Sequence, residues 1–146
     1  MKVYLAEHAG YCFGVKKAVN AAEKTIKGSG GINTYSLGPI VHNPQGVEKF
    51  NNEGLTVIEN IDFIKEGKIN IRSHGIPRKV QENIQDLNLE LIDCTCPYVK
   101  SVHNKVNEYS SKGYKIVIIG DKNHPEVVGI NGWCNDEAII IDNAEE

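Results

Sequence analysis

Short β-branched runs alternate with segments of helical spacing along the whole chain, and this alternation restricts the fold more than any single residue. Candidate strands are Val3–Ala6, Thr34–Leu37, Leu55–Ile58, Ile69–Ser73, Leu89–Ile92, Lys115–Ile119 and Ala138–Ile141. Most are bounded by Gly, Asn or Asp. Between the first two, Val15–Ile26 keeps apolar residues at positions 15, 18, 19, 22 and 26, the repeat of one helix face. Asn43 followed by Pro44 reads as an N-cap with proline at the first helical position. Pro77 opens a helix with Val80, Ile84 and Leu87 on one face, and Pro97 opens another with Val99, Val102, Val106 and Tyr109. Strands separated by helices pair in parallel, so the pattern predicts an α/β fold with mainly parallel strands.

Two small α/β domains fit this pattern, one over residues 1–95 and a second over 96–146. The second reads as incomplete, because two strand candidates and one good helix leave a sheet that cannot cover both its faces. The 146 residues are 40% hydrophobic, enough for a packed core without disorder. A net charge of −3 gives no global basic field for nucleic acid. Lys16, Lys17, Lys24 and Lys27 read as the solvated side of the first helix. No apolar run is long enough to span a bilayer, and the longest, Ile116–Ile119, reads as one buried strand. Met1 leads straight into the first strand candidate with no apolar signal region, so the expected location is the cytoplasm. In that reducing compartment, disulfides are a poor explanation for Cys12, Cys94, Cys96 and Cys134.

The chemistry-bearing residues collect where strands give way to helices. His8–Ala18 (HAGYCFGVKKA), Leu37–Pro44 (LGPIVHNP), Ile71–Pro77 (IRSHGIP), Asp93–Pro97 (DCTCP) and Asp121–Gly129 (DKNHPEVVG) are five successive corners, each with Cys, His or Glu. Ligand sites of open α/β sheets lie at the carboxyl ends of strands. Cys12 and Cys96 lie on different corners that a fold could bring together, and soft thiolates suit zinc, copper(I) or iron–sulfur clusters. No C-x-x-C pair of the zinc-ribbon kind is present. His42, His74 and His124 offer donors or cations which, beside helix N-termini, suit a phosphate or diphosphate. Glu126, two residues after His124, can share its site as a proton donor.

These corners, taken together and in order, resemble the motifs of the 4-hydroxy-3-methylbut-2-enyl diphosphate reductase family, also called IspH or LytB. The resemblance covers essentially the whole chain. It implies three similar α/β domains around a central [4Fe–4S] cluster, with this chain supplying the first and part of the second. It implies that Cys12 and Cys96 are two of three cluster ligands, and that the third cysteine lies beyond residue 146. It also implies that residues 1–13 pack as a strand with the third domain. His42, His74 and His124 resemble the residues around the diphosphate, with His124 also engaged in proton delivery. Glu126 resembles the acid that protonates the departing hydroxyl. The implied activity is reductive dehydroxylation to isopentenyl and dimethylallyl diphosphate, the last step of the non-mevalonate pathway. The implied electron donor is a ferredoxin or flavodoxin.

Plainer readings stand beside these. Cys94 and Cys134, which match no role in the motifs, read as packed spectator thiols. Outside its motif, Glu126 reads as a first-turn helix residue favoured by the dipole. His8 and His103 read as surface or packing residues. Gly10, Gly14, Gly38 and Gly75 read as corner glycines that permit tight turns. For the chain as a whole, the alternatives to the reductase are a non-catalytic metal- or diphosphate-binding module and a zinc-binding regulatory module. The chain alone is expected to be inactive.

Overall fold

The computed structural model describes residues 1–143. The element order is α1 (Phe13–Lys27), β1 (Thr34–Leu37), α2 (Pro44–Asn52), β2 (Leu55–Ile58), β3 (Glu66–Ile71), α3 (Arg78–Gln85), β4 (Asn88–Asp93), α4 (Pro97–Ser111), β5 (Val117–Ile119), α5 (Pro125–Gly132) and β6 (Ile139–Ile141). Strands β2-β1-β3-β4 form one sheet in that order, and β5-β6 form a second. Every pairing is parallel.

The four-stranded sheet is covered on both faces, as parallel sheets require. On one side α1 presents Ala18, Ala22 and Thr25, all buried, and joins a core with Ile40, Val41, Phe50, Leu55 and Cys94. Small residues at that stripe let the helix approach the sheet closely. A buried polar pair fixes its position: the Thr25 hydroxyl donates to Asn70 Oδ1 (3.1 Å), and Asn70 Nδ2 donates to the Tyr35 carbonyl (3.1 Å). On the other side α3 buries Ile84 against Leu37, Ile69, Ile71 and Ile76. Asn43 caps α2 as its sequence suggests, accepting a 2.8 Å hydrogen bond from the Gly46 amide.

Five expectations need correction, the first being the buried strand over Ile116–Ile119: β5 spans Val117–Ile119, and Val117 and Ile119 are exposed. Val3–Ala6 is not a strand; Val3, Tyr4 and Leu5 are 80–89% exposed. β-propensity is realised only beside a partner strand, and this segment has none among the described residues. The strand expected over Ile69–Ser73 runs instead over Glu66–Ile71, because its ladder with β4 begins at Glu66↔Asn88 and the chain leaves the sheet after Ile71. Leu87 falls beyond α3, which ends at Gln85. In α4 the buried residue is His103, while Val102 and Tyr109 are exposed, so the apolar face read from the sequence is turned partly outward.

Candidate active site

The strand order 2-1-3-4 places a topological switch point between β1 and β3, since the chain goes from β1 to one side and then returns to the other. Crevices at such points, outside the carboxyl ends of the strands, are the ligand sites of open α/β sheets. β1 and β3 end in register at Leu37↔Ile71. The corners that follow carry His42 and His74, whose ring centroids are 5.0 Å apart. His124 reaches the same place from the N-terminus of α5, with its ring 5.8 Å from that of His74. The three histidines named from the sequence therefore form one edge-to-face chain with His74 in the middle.

Their surroundings differ. His74 Nδ1 is buried without a hydrogen-bond partner. Burial, helped by charge on His42, Arg72 and His124, pushes the His74 pKa down to about 4, so its imidazole is neutral at neutral pH. The His124 ring is fixed locally: Nδ1 accepts from the Glu126 amide at 3.2 Å, as the side-chain cap of α5. That acceptor role leaves the proton of a neutral ring on Nε2. Glu126 is half-buried in the first turn of α5, where the helix dipole favours a carboxylate.

The thiols occupy matching positions. Cys12 is the N-cap of α1 and Cys96 the N-cap of α4, and neither side chain caps its own helix. Cys12 is exposed and Cys96 half-buried. Gly14 joins their corners. It lies inside α1, and a Cβ added there would stand 2.8 Å from Cys96 Sγ. This glycine is needed for close approach, not for the tight turn read from the sequence. The Cys96 amide in turn donates to the Ser73 carbonyl at 2.9 Å, one residue before His74. Thiol and histidine corners are thus tied by backbone.

The other two cysteines stand apart from the corners. Cys94 is 1% exposed in the core beneath α1, and burial pushes its thiol up to about 11. Cys134 is buried, with Sγ 3.2 Å from the Asn131 carbonyl, and burial raises its pKa also. Among the described residues, no group of three or more His, Cys, Asp or Glu side chains is disposed to hold a metal ion. Cys12 and Cys96 are two thiols at the starts of α1 and α4. Their uncommitted side chains at two adjoining helix N-termini fit an anionic cluster in partial positive potential.

Sequence reasoning missed Trp133 and Arg72, and read His103 as a surface or packing residue and Gly75 as a corner glycine without seeing what they touch. His103 is buried in α4 and stacks on Trp133 (centroids 5.3 Å, 19° between planes). Trp133 Nε1 donates to the Ile76 carbonyl at 3.0 Å, fastening α5 to the His74 corner. A Cβ on Gly75 would meet His103 Cε1 at 2.6 Å, so this corner also depends on a close approach. Arg72, two residues before His74, is half-buried with Nε unpartnered, and desolvation lowers its pKa while Glu59 raises it. It borders a cavity of about 560 Å³ lined also by Glu59, Gly75, Asn123 and Pro125. A cation at the end of a strand, inside a histidine motif, was the available signal.

The family model described as "LytB protein" matches residues 3–146. The chain belongs to the LytB family. Relatives named 4-hydroxy-3-methylbut-2-enyl diphosphate reductase include that of Caldanaerobacter subterraneus subsp. tengcongensis, 48% identical with 100% of this chain and 52% of the relative covered. Those of Clostridioides difficile (46% identical, 100% and 52% covered) and Aquifex aeolicus (45%, 99% and 50%) behave alike. The chain spans about half the length of these LytB relatives. A solved structure of (E)-4-hydroxy-3-methyl-but-2-enyl diphosphate reductase, described as the terminal enzyme of the non-mevalonate pathway, is 46% identical with a TM-score of 0.82 over 98% of this chain and 52% of that one. A solved structure of E-1-hydroxy-2-methyl-but-2-enyl-4-diphosphate reductase from Plasmodium falciparum is 31% identical with a TM-score of 0.88 over 95% of this chain and 44% of that one. The α/β architecture is therefore that of LytB structures. Among the described residues, no helix is long and apolar enough to cross a membrane.

Proposed function

We propose that this chain forms part of a cytoplasmic reductase that removes the hydroxyl of 4-hydroxy-3-methylbut-2-enyl diphosphate. The observation that carries the reading is a three-histidine chain at one sheet switch point, tied by the Cys96–Ser73 backbone hydrogen bond to two uncommitted thiols at adjoining helix N-termini. Cys12 and Cys96 would hold a [4Fe–4S] cluster together with a further cysteine of a longer chain. When bound, such a cluster supplies electrons and a Lewis-acidic iron for the substrate oxygen.

The chain's own residues do the rest. His42, His74 and His124 grip the diphosphate, and a neutral His74 offers it a hydrogen bond without a charge that would trap the product. The grip fixes the far end of the substrate and so orients the allylic carbon. Glu126 gives the proton that lets the hydroxyl leave as water, and its amide keeps His124 oriented beside it. Two electrons and two protons convert the alcohol into isopentenyl or dimethylallyl diphosphate plus water. A ferredoxin or flavodoxin delivers the electrons. Residues 1–95 form the first domain and 96–146 part of the second, and the exposed segment 1–13 pairs with a third domain.

The test is turnover by the full-length gene product, reconstituted anaerobically and supplied with a reduced viologen dye. Both isomeric diphosphates are expected by chromatography. No product from protein carrying an intact cluster would overturn the reading. The alternative is a non-catalytic diphosphate- or metal-binding module. It requires binding without turnover in that same assay.

A further inference from the structure

Gly38 and Arg72 are the residues that follow the last paired positions of β1 and β3, Leu37↔Ile71, so they face each other across the switch point. Gly38 adopts φ +72°, and a Cβ added to it would stand 2.5 Å from Arg72 Nη1 and 2.7 Å from Cζ. The guanidinium therefore lies flat over the backbone of the β1–α2 corner. That corner leads to His42; the corner bearing Arg72 leads to His74, and the two rings are 5.0 Å apart.

We propose that Arg72 is a positioning residue of the diphosphate grip: laid over Gly38, its guanidinium sets the His42 corner against the His74 corner and places fixed positive charge behind both rings. The role rests on the reading that these histidines hold a diphosphate.

Packing alone is a poor reason for an arginine here. An aliphatic side chain would fill the space over Gly38 without the desolvation cost of a half-buried cation. Among the described residues, Arg72 Nε has no partner, and Glu59 is the carboxylate whose charge acts on the guanidinium. The ring chain beside it includes His74, which is neutral at neutral pH and contributes no charge of its own. A doubly charged ligand at the histidines gains long-range attraction from Arg72 that the rings do not supply. The planar fork fits over a glycine where an ammonium on a flexible stem would not stay put.

The test uses the full-length, cluster-loaded gene product and inorganic diphosphate as the calorimetric probe, with kcat and KM measured in parallel. Arg72→Met should weaken diphosphate binding and raise KM by about tenfold, one charge-assisted contact's worth, with kcat changed less than about twofold. Arg72→Lys, which keeps the charge without the fork, should recover part of the loss. Gly38→Ala, which displaces the guanidinium, should reproduce Arg72→Met in a protein that retains the arginine. If Arg72→Met does not fold, the Lys and Ala variants carry the test. Diphosphate affinity and KM unchanged in Arg72→Lys and Gly38→Ala, while His74→Ala loses binding, would overturn the role of Arg72 and leave the histidine reading standing. Unaltered binding in His74→Ala would overturn both.

Discussion

β3 and β5 are both short parallel strands rich in isoleucine, yet Ile69 and Ile71 of β3 are fully buried while Val117 and Ile119 of β5 are 55% and 78% exposed. The difference lies in the cover. β3 is flanked by β1 and β4 and sandwiched between the α1 and α3 cores, whereas among the described residues β5 pairs with β6 alone. Burial is thus a property of the layer a strand joins and not of its composition. The candidate site draws on both regions. His42, His74 and Cys96 stand on the covered sheet's corners, Cys12 at the start of the helix α1 that covers it, and His124 and Glu126 on the α5 N-terminus of the less covered one.

The comparison breaks most easily at its cores. Ile71→Ala should cost about 3 kcal/mol in urea unfolding, through lost transfer energy and a cavity. Ile119→Ala in the described fold should cost less than about 0.5 kcal/mol. Equal losses would show that β5 is as well covered as β3 in the folded protein. Across the two regions, Glu126→Gln should slow turnover by about a hundredfold while leaving inorganic diphosphate affinity intact, the signature of a lost proton donor. Near-normal turnover would remove Glu126 from that role.

Smaller effects sharpen the picture further. The His74 ring should titrate near pH 4 by NMR, against an ordinary value of 6.5. Between those values the unfolded chain takes up a proton that the folded one refuses. Stability therefore rises with pH from about 4 to 6.5 and is level above, as far as this group decides it. A midpoint near 6.5 would mean that the ring is better solvated than its place between His42 and His124 implies. The least effect is expected at the surface pair Arg78–Glu82, where an N···O distance of 2.8 Å joins two half-exposed side chains. Arg78→Ala should change stability by no more than about 0.5 kcal/mol.

Much of this was legible in the sequence because it depends on local chemistry. Asn43-Pro44 announces the start of α2, and the runs Thr34–Leu37 and Leu55–Ile58 coincide with β1 and β2 residue for residue. The corners were legible because strand-to-helix turns are where α/β folds expose reactive groups, and His42, His74 and His124 do converge there. What was not legible depends on partners distant in the chain. Val3–Ala6 has strand propensity but no neighbouring strand among the described residues. The Cys96 contact of Gly14 and the stacking of His103 on Trp133 arise only once helices pack. Arg72 passed unnoticed because its significance lies in Gly38, a residue 34 positions earlier that only the β1–β3 register brings beside it.

The four cysteines give the most direct test of the site as a whole, since the fold sorts them into two corner thiols and two buried ones. Iron and sulfide should be counted after anaerobic reconstitution of the full-length gene product and its four single Cys→Ser variants. About four irons per chain are expected for the unaltered protein and for Cys94→Ser and Cys134→Ser, with the cluster lost in Cys12→Ser and Cys96→Ser. A full cluster in Cys12→Ser, or its loss in Cys94→Ser with the fold intact, would contradict the assignment.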